Sequence, residues 1–456
     1  MFKVDELLKA TCGRLIHGKL TTTARGISID SRTINPQDAF IAIKGNNFDG
    51  HDFIEEAIKK GASCVIAMSP KITPESKKVT LIEVKDTVKA LGDMAKFQRN
   101  KFDITVIAIT GSNGKTTAKE MIARILSKGF KVLKNEGTKN NQIGLPLTLL
   151  NLNQDCDIAV LEVGTNHFGE VDYLAKICQP NIGIITNIGP SHLEYLYNLK
   201  GVFKEKYTLI EELKKPYIAI LNADDSWLRR QSLKKTKRPF ILGVGIEKQS
   251  DFFASRIKYS GEKLEFLVNL KYRFTLKTLG YYNIYNALYA IAIARLFGIG
   301  YKDIASGLAT FDFPQGRLNF IKLNNINFID DSYNSNPASL KLALNALHNF
   351  KTKGKKVFVM GDMLELGSRE RLFHCQAGKD AVDACDIIIT VGKLSKLAAE
   401  AAKSYGFNIK NIFTCESLSQ ARDILFNDIS LRENDIVLVK GSRAMKMEEI
   451  ISCLSG

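Results

Sequence analysis

The 456-residue chain has no apolar run long enough to cross a bilayer. Its longest, ALYAIAIARLFGI at 287–299, is too short and contains Arg295. The opening MFKVDELLKA puts acidic residues where a secretory signal needs an apolar core. None of the eight cysteines, at 12, 64, 156, 178, 375, 385, 415 and 453, forms a C-x-x-C pair. That argues against a zinc site or a disulfide frame and leaves the cysteines as small buried residues in a reducing compartment. There is no internal repeat and no low-complexity tract. These absences together predict a soluble, cytoplasmic chain with no stable membrane insertion.

Charge of one sign is in excess: 64 basic against 48 acidic residues, net +16. The lysines are spread out, with short clusters only at KKTKR (234–238) and KTKGKK (351–356), and no aromatic-interleaved basic motif accompanies them. The excess therefore reads as a match to anionic small molecules, with no nucleic-acid partner. A polynucleotide-dependent ATPase is the rival reading that the charge motivates.

The length suits two to four domains. β-branched runs alternate with amphipathic helical runs, which predicts α/β architecture. Three segments separate, at 1–98, 99–313 and 314–456. The first holds short strands and the helix DFIEEAIKKG. The second holds the buried-looking strands ITVIAIT, DIAVLEVG, IGIITNIG and YIAILNADD. The third alternates INFIDDS, KVFVMGDM, DIIITVG and DIVLVKGS with helices, and NFKTKGKK (349–356) reads as a loop within it.

Between the strand VIAIT and the helix TTAKEMIARILSKG lies TGSNGKTT, residues 110–117. Gly111 and Gly114 permit tight turns, so that the amides of Ser112, Asn113 and their neighbours can converge on an anion. Lys115 can reach outer phosphates, Thr116 can offer a hydroxyl to Mg²⁺, and Thr117 opens the helix whose N-terminus adds partial positive charge. Met121, Ile122, Ile125 and Leu126 share one face of that helix, which should be buried. The loop reads G-x-x-G-K-T, shorter than the usual spacing, with Ile109 where a first glycine would stand.

Ligands of doubly wound sheets bind beyond the carboxyl ends of strands, so polar strand tips are candidate site residues. Glu162 ends one strand in LEVGTNHFGE and suits Mg²⁺. His192 follows another in NIGPSHLE, and is by itself more readily structural than functional. Lys206, in FKEKYTLIEEL, reads from composition as an ordinary solvated helix lysine. In the first segment Asp30, Ser31, Arg32, Lys44, Gly45 and His51 supply basic groups and turn backbone of a kind that suits a diphosphate, though DSRT and DGH also read as plain turns.

TGSNGKTT, EVGTNHFGE, NIGPSHLE, KEKYTLI and NADD, followed by LGYYNIYNALYAIAIA, FPQGRLN and DDSYNSNPASL, together resemble the Mur ligase family over nearly the whole chain. These are ATP-dependent amide-bond-forming enzymes of bacterial cell-wall synthesis. The resemblance implies a UDP-sugar-binding first domain, a central P-loop ATPase domain and a Rossmann-like C-terminal domain. It also implies ATP and two Mg²⁺ ions, with Thr116, Glu162, His192 and Lys206 around the metals. Lys206 matches the lysine that the family carbamylates with CO₂. Asn283 and Asn286 match the motif approaching adenine, although Tyr282 stands where the family often has histidine. Arg317 matches a phosphate contact, Asp331 an acid near the ribose, and Asn140 and Asn141 a loop facing substrate and phosphates.

EGTKNNQIGLPLTLLNL, DDSYNSNP, MGDMLELG and KGSRAMKMEEI resemble the branch that joins D-alanyl-D-alanine to UDP-N-acetylmuramoyl-tripeptide through an acyl phosphate. On that resemblance Asn334, Asn336 and Arg443 lie near the dipeptide, and a monomer is expected. A sister ligase adding a single amino acid is the rival within the family. The base for the attacking amine is not evident, and His374 qualifies only by residue type.

Overall fold

The computed structural model describes residues 1–45, 47–70, 72–232, 238–260, 262–323 and 325–452. Cys453 and residues 234–237 of the basic run KKTKR lie outside the described residues. Three main sheets follow one another along the chain. The first has five strands in the order Arg14–His17, Thr80–Glu83, Cys64–Ala67, Ala39–Ile41, Ile27–Ser28.

The second sheet has nine strands. Its parallel part runs Val132–Lys134, Ile158–Glu162, Thr105–Thr110, Ile182–Ile185, Ile218–Asn222, Phe240–Gly245, Phe252–Ser260. Lys263–Val268 and Tyr272–Leu276 extend it antiparallel. Thr105–Thr110 lies between Ile158–Glu162 and Ile182–Ile185, with Glu162 in register with Ile109 and Ile185 with Thr110. The carboxyl ends of these three strands therefore emerge side by side, where a doubly wound sheet offers its crevice.

The helix Lys115–Leu126 buries Met121, Ile122, Ile125 and Leu126, the face its spacing predicts. It packs on the helix Asn283–Leu296, in which every residue from Asn283 to Ala294 is buried. A helix that is apolar all round belongs in a core or a membrane. This one is a core helix of 14 residues, and among the described residues no helix is long and apolar enough to cross a membrane.

The third sheet runs Asn319–Leu323, Ile326–Asp331, Ile436–Lys440, Lys356–Gly361, Ile387–Val391, Ile412–Cys415, parallel except at its first, antiparallel edge. The helix Thr87–Arg99 runs through the 98/99 position taken as a boundary. Its buried Ala90, Leu91, Met94 and Ala95 share one apolar cluster with Phe2 and Val4 of the first segment and with Val106, Leu145 and Ala159 of the second. Cys64, Cys178, Cys385 and Cys415 are buried as expected, whereas Cys156 and Cys375 are half-buried and Cys12 is exposed.

Candidate functional site

The loop after Thr105–Thr110 forms one wall of a cavity of about 620 Å³. Gly111 has φ +144° and Gly114 +84°, backbone conformations that favour glycine. A Cβ on Gly111 would fall 1.9 Å from Thr186 Oγ1, and one on Gly114 would fall 2.6 Å from Asn286 Oδ1. Both turns thus need glycine for space as well as for φ. Asn113 is pinned from the neighbouring strand end: its N–H donates to Asn187 Oδ1 (3.1 Å), and its carbonyl accepts from Thr186 Oγ1 (2.5 Å) and Asn187 Nδ2 (2.8 Å). The Lys115 ammonium folds back onto the Gly111 carbonyl at 2.9 Å. Burial lowers the pKa of this lysine, with Glu162 opposing and Arg317 reinforcing the shift.

Opposite the loop, Thr116 Oγ1 donates to Glu162 Oε2 at 2.7 Å, and Asn140 Nδ2 donates to Glu162 Oε1 at 2.7 Å. Asn135 holds the Glu162 backbone from both sides. Two hard oxygen donors therefore sit together at the phosphate loop. Among the described residues no group of three or more His, Cys, Asp or Glu forms a metal cage. Mg²⁺ commonly takes one or two protein oxygens and fills its octahedron with water and phosphate, so Thr116 and Glu162 fit that ion.

The third sheet closes the cavity. Arg317 donates to Thr116 Oγ1 at 3.0 Å, and its guanidinium lies over the Tyr333 ring, 4.3 Å from the centroid. Arg443 also lies near that ring, 5.7 Å from its centroid, and the Tyr333 hydroxyl donates to Thr138 Oγ1 at 2.7 Å. Asp331 pairs with the buried Lys440 and accepts from the Leu318 N–H at 3.1 Å. Burial raises the Asp331 pKa against the pull of Lys440. Asn336 caps the helix Pro337–Asn349 and exchanges amide hydrogen bonds with Asn113. Asn334 accepts weakly from the Arg443 N–H at 3.4 Å, while the Arg443 side chain pairs with Glu448.

Of the expected site residues, Ser112, Asn113, Gly114, Lys115, Thr116, Thr117, Asn140, Glu162, His192, Asn283, Asn286, Arg317, Asp331, Asn334, Asn336 and Arg443 line this one cavity. Asn283 and Asn286 are joined by an amide hydrogen bond of 3.0 Å, and Asn286 Oδ1 is buried without a partner, an acceptor available to a ligand. Asn141 lies elsewhere. Its Oδ1 accepts from the N–H groups of Ile143 and Gly144, and it lines a second cavity of about 530 Å³ with Ile29 and Thr138.

Lys206 departs from its composition-based reading. It is only 1 % exposed, buried in the helix Leu199–Glu211. Burial, with Lys115 adding repulsion, pushes its pKa down to about 7, so its amine is readily neutral. The adjacent Glu205, which the sequence reading passed over, accepts from Thr165 Oγ1 and from the N–H groups of Gly169 and Val171, and so fixes the loop that follows Glu162. His192, at φ +52°, bonds through Nδ1 to Glu365 Oε2 at 2.6 Å. Burial lowers its pKa, although Glu365 pulls the other way.

The first-domain residues stand outside the main cavity and are engaged locally. Arg32 grips Asp30 with two side-chain bonds and holds its carboxyl down at about 2. Ser31 donates to Glu56, Lys44 and Asp49 pair through an isolated antiparallel backbone β-bridge, and the Gly45 N–H donates to the Phe48 carbonyl. His51 uses both ring nitrogens within the domain, one toward Asp49 and the other accepting from the Met68 N–H. His374 is likewise committed: Nε2 accepts from the Met363 N–H, and Nδ1 donates to the Glu370 carbonyl. That removes it as a base for the amine. Tyr333, Lys440 and Glu365 also line the main cavity, and Asn187 braces the phosphate loop through Asn113. Tyr333 and Glu365 lie within DDSYNSNP and MGDMLELG, so those motifs were their only visible signal.

A glycine loop between strand and helix, faced by hard oxygens and covered by Arg317 and Asn336 from the third segment, defines a P-loop α/β protein. Three family descriptions match the chain: Mur ligase family, catalytic domain, over residues 23–99; Mur ligase middle domain over 109–294; and Mur ligase, glutamate ligase domain, over 316–443. The chain is 35 % identical over 459 residues to the UDP-N-acetylmuramoyl-tripeptide–D-alanyl-D-alanine ligase of Bacillus subtilis, covering 99 % of this chain and 97 % of that protein. A MurF crystal structure from Acinetobacter baumannii aligns with a TM-score of 0.90 at 32 % identity, over 99 % of this chain and 98 % of that one. A MurF ligase of Thermotoga maritima in complex with ADP aligns at 0.83 and 27 % identity, over 94 % and 97 %. The chain belongs to the Mur ligase family and adopts its three-domain α/β architecture.

Proposed function

We propose that this chain is an ATP-dependent ligase that joins D-alanyl-D-alanine to the carboxyl end of UDP-N-acetylmuramoyl-tripeptide, supplying the pentapeptide precursor of peptidoglycan. The observation that carries the reading is the meeting of the phosphate loop and third-domain side chains at one cavity, in a chain whose full-length relatives bear that activity in their names. The division of labour follows the segments: 1–98 for the UDP-sugar end, 99–313 for ATP, and 314–456 for the dipeptide and for closure. A cytoplasmic monomer accompanies this reading, as does the absence of a nucleic-acid partner.

A carboxylate resists amines because its leaving group would be oxide. Transfer of the γ-phosphoryl group forms a new O–P bond on the tripeptide carboxylate and breaks the bond to ADP. The dipeptide amine then attacks the acyl carbon, the C–O bond to phosphate breaks, and the amine's proton is released. Lys115 and Arg317 offset charge on the transferring group, and Asn113 with its Thr186 and Asn187 struts holds the loop in shape. Asn283 and the open Oδ1 of Asn286 receive the base, and Asp331, held by Lys440, faces the ribose. Thr116 and Glu162 would hold one Mg²⁺, and His192 with Lys206 as its carbamate would hold a second; the ions would supply charge neutralisation. A buried lysine whose amine is readily neutral suits CO₂ addition, because the free amine is the nucleophile. In this reading Asn140, Asn334, Asn336 and Arg443 orient the peptide substrates.

Phosphate release from ATP, measured with the muramoyl-tripeptide with and without D-alanyl-D-alanine, tests this together with mass detection of the product. Release that needs both substrates, with one amide formed per phosphate, is expected. Release with a single amino acid in place of the dipeptide would move the activity to a sister ligase. A mass gain of one CO₂ on the Lys206 peptide, from protein analysed without acid, tests the carbamate.

A further inference from the structure

We infer that Glu365 is a positioning residue for His192: a third-domain carboxylate that fixes the tautomer and orientation of a central-domain imidazole. The inference rests on the metal role proposed above for His192. The two side chains meet at 2.6 Å through Nδ1 and Oε2. A proton held at Nδ1 by a carboxylate leaves the Nε2 lone pair as the ring's donor to a cation. Both residues line the same cavity.

The backbone around the pair is shaped for this encounter. His192 (φ +52°) and Glu365 (φ +62°) both adopt left-handed conformations that non-glycine residues rarely take. Such conformations persist where the surrounding structure enforces them. Here the Glu194 N–H donates to the Glu365 carbonyl at 3.2 Å. Gly367, at φ +57°, comes so near that a Cβ on it would lie 3.2 Å from Glu194 Cα. The Glu365 loop is itself anchored on its own domain, since the Met363 N–H donates to His374 and the Leu364 N–H to Ser442 Oγ at 2.8 Å. A rigid third-domain loop therefore carries the carboxylate to His192, and the pair exists only while the two domains are together. This couples closure to the readiness of the imidazole, and it gives MGDMLELG a chemical role.

An ordinary interdomain ion pair would show the same contact, so the test must read the imidazole's ligand function. Mn²⁺ binding to the full chain with a non-hydrolysable ATP analogue can be followed through the paramagnetic signal of the free ion. Glu365→Ala and Glu365→Gln are each made alone and on a His192→Asn background. Glu365→Ala should weaken Mn²⁺ by about 10-fold or more, the range seen when the outer partner of a ligating histidine is lost. Glu365→Gln, which keeps shape and an acceptor oxygen, should lose less. Neither should matter once His192 is gone, because coupled residues are non-additive. Unchanged Mn²⁺ affinity in the folded Glu365→Gln and Glu365→Ala proteins, or an equal loss without His192, overturns the inference. If Glu365 has its effect on Mn²⁺ but the wild type makes no dipeptide amide, the proposed activity fails while the pairing stands.

Discussion

The side-chain amides of Asn113 and Asn336 lie head to tail across the domain interface. Asn336 Nδ2 donates to Asn113 Oδ1 at 2.8 Å, and Asn113 Nδ2 donates back to Asn336 Oδ1 at 3.3 Å. One partner is in the phosphate loop and the other caps a third-domain helix, where its Oδ1 also accepts from the Ser339 N–H at 2.9 Å. Asn336→Asp keeps the capping oxygen but cannot donate to Asn113. Its unfolding should match that of the wild type, while amide formation falls by up to about 10-fold, the worth of one lost hydrogen bond. Asn336→Ala should also lose about 1 kcal/mol through the cap. Thermal unfolding and steady-state rates check both, and a fully active Asn336→Asp would show that the pair plays no part in closure.

Gly111→Ala should damage the loop through a neighbouring strand. The added methyl would meet Thr186 Oγ1, the same hydroxyl that holds the Asn113 carbonyl. A left-handed or otherwise strained backbone costs about 1–3 kcal/mol, and here the clash adds to it. Calorimetry with an ATP analogue should find binding lost or greatly weakened. Wild-type affinity would mean that Thr186 is dispensable to the loop.

Tyr333 offers two separable contributions. Tyr333→Phe removes only the bond to Thr138, whereas Tyr333→Ala also removes the ring lying against Arg317 and Arg443. Cation–π contacts are worth about 0.5–2 kcal/mol each, more when desolvated. The Ala variant should therefore lose more kcat than the Phe variant, and should respond less to a further Arg317→Lys change. Equal losses in the two variants would place the whole effect in the hydroxyl.

What could be read in advance was local. The strand, glycine loop and helix at 105–126 announce themselves because turn chemistry and helical spacing are written within a few neighbours. The tip at Glu162 stood out from its strand end, whereas His192 gained a candidate role only through the family motif NIGPSHLE. Lys206 did not stand out, because a K-E-K run on an amphipathic helix looks solvated until the fold covers it. Partners such as Asn113 and Asn336, 223 residues apart in sequence, leave no local trace at all. Histidine was the least legible type: His51 and His374 serve backbone N–H groups, and His192 meets a carboxylate from another domain. The helix Thr87–Arg99 shows the same limit for boundaries, since its apolar face serves two segments at once.

His374 gives the chain a pH-dependent element of stability apart from the reaction. Its Nε2 must stay unprotonated to accept from the Met363 N–H, and burial holds its pKa below the ordinary 6.5. The unfolded chain therefore takes up this proton at a higher pH than the folded one does. Stability from this group is complete above about 6.5, the unfolded value, and is lost as pH falls through the lower folded value. His374→Gln can still accept from an N–H but does not titrate. The wild type should lose melting temperature between neutral and mildly acidic pH by more than His374→Gln does, with slower exchange of the Met363 amide at the neutral end. Parallel pH dependence in the two proteins would assign the acid sensitivity to other groups.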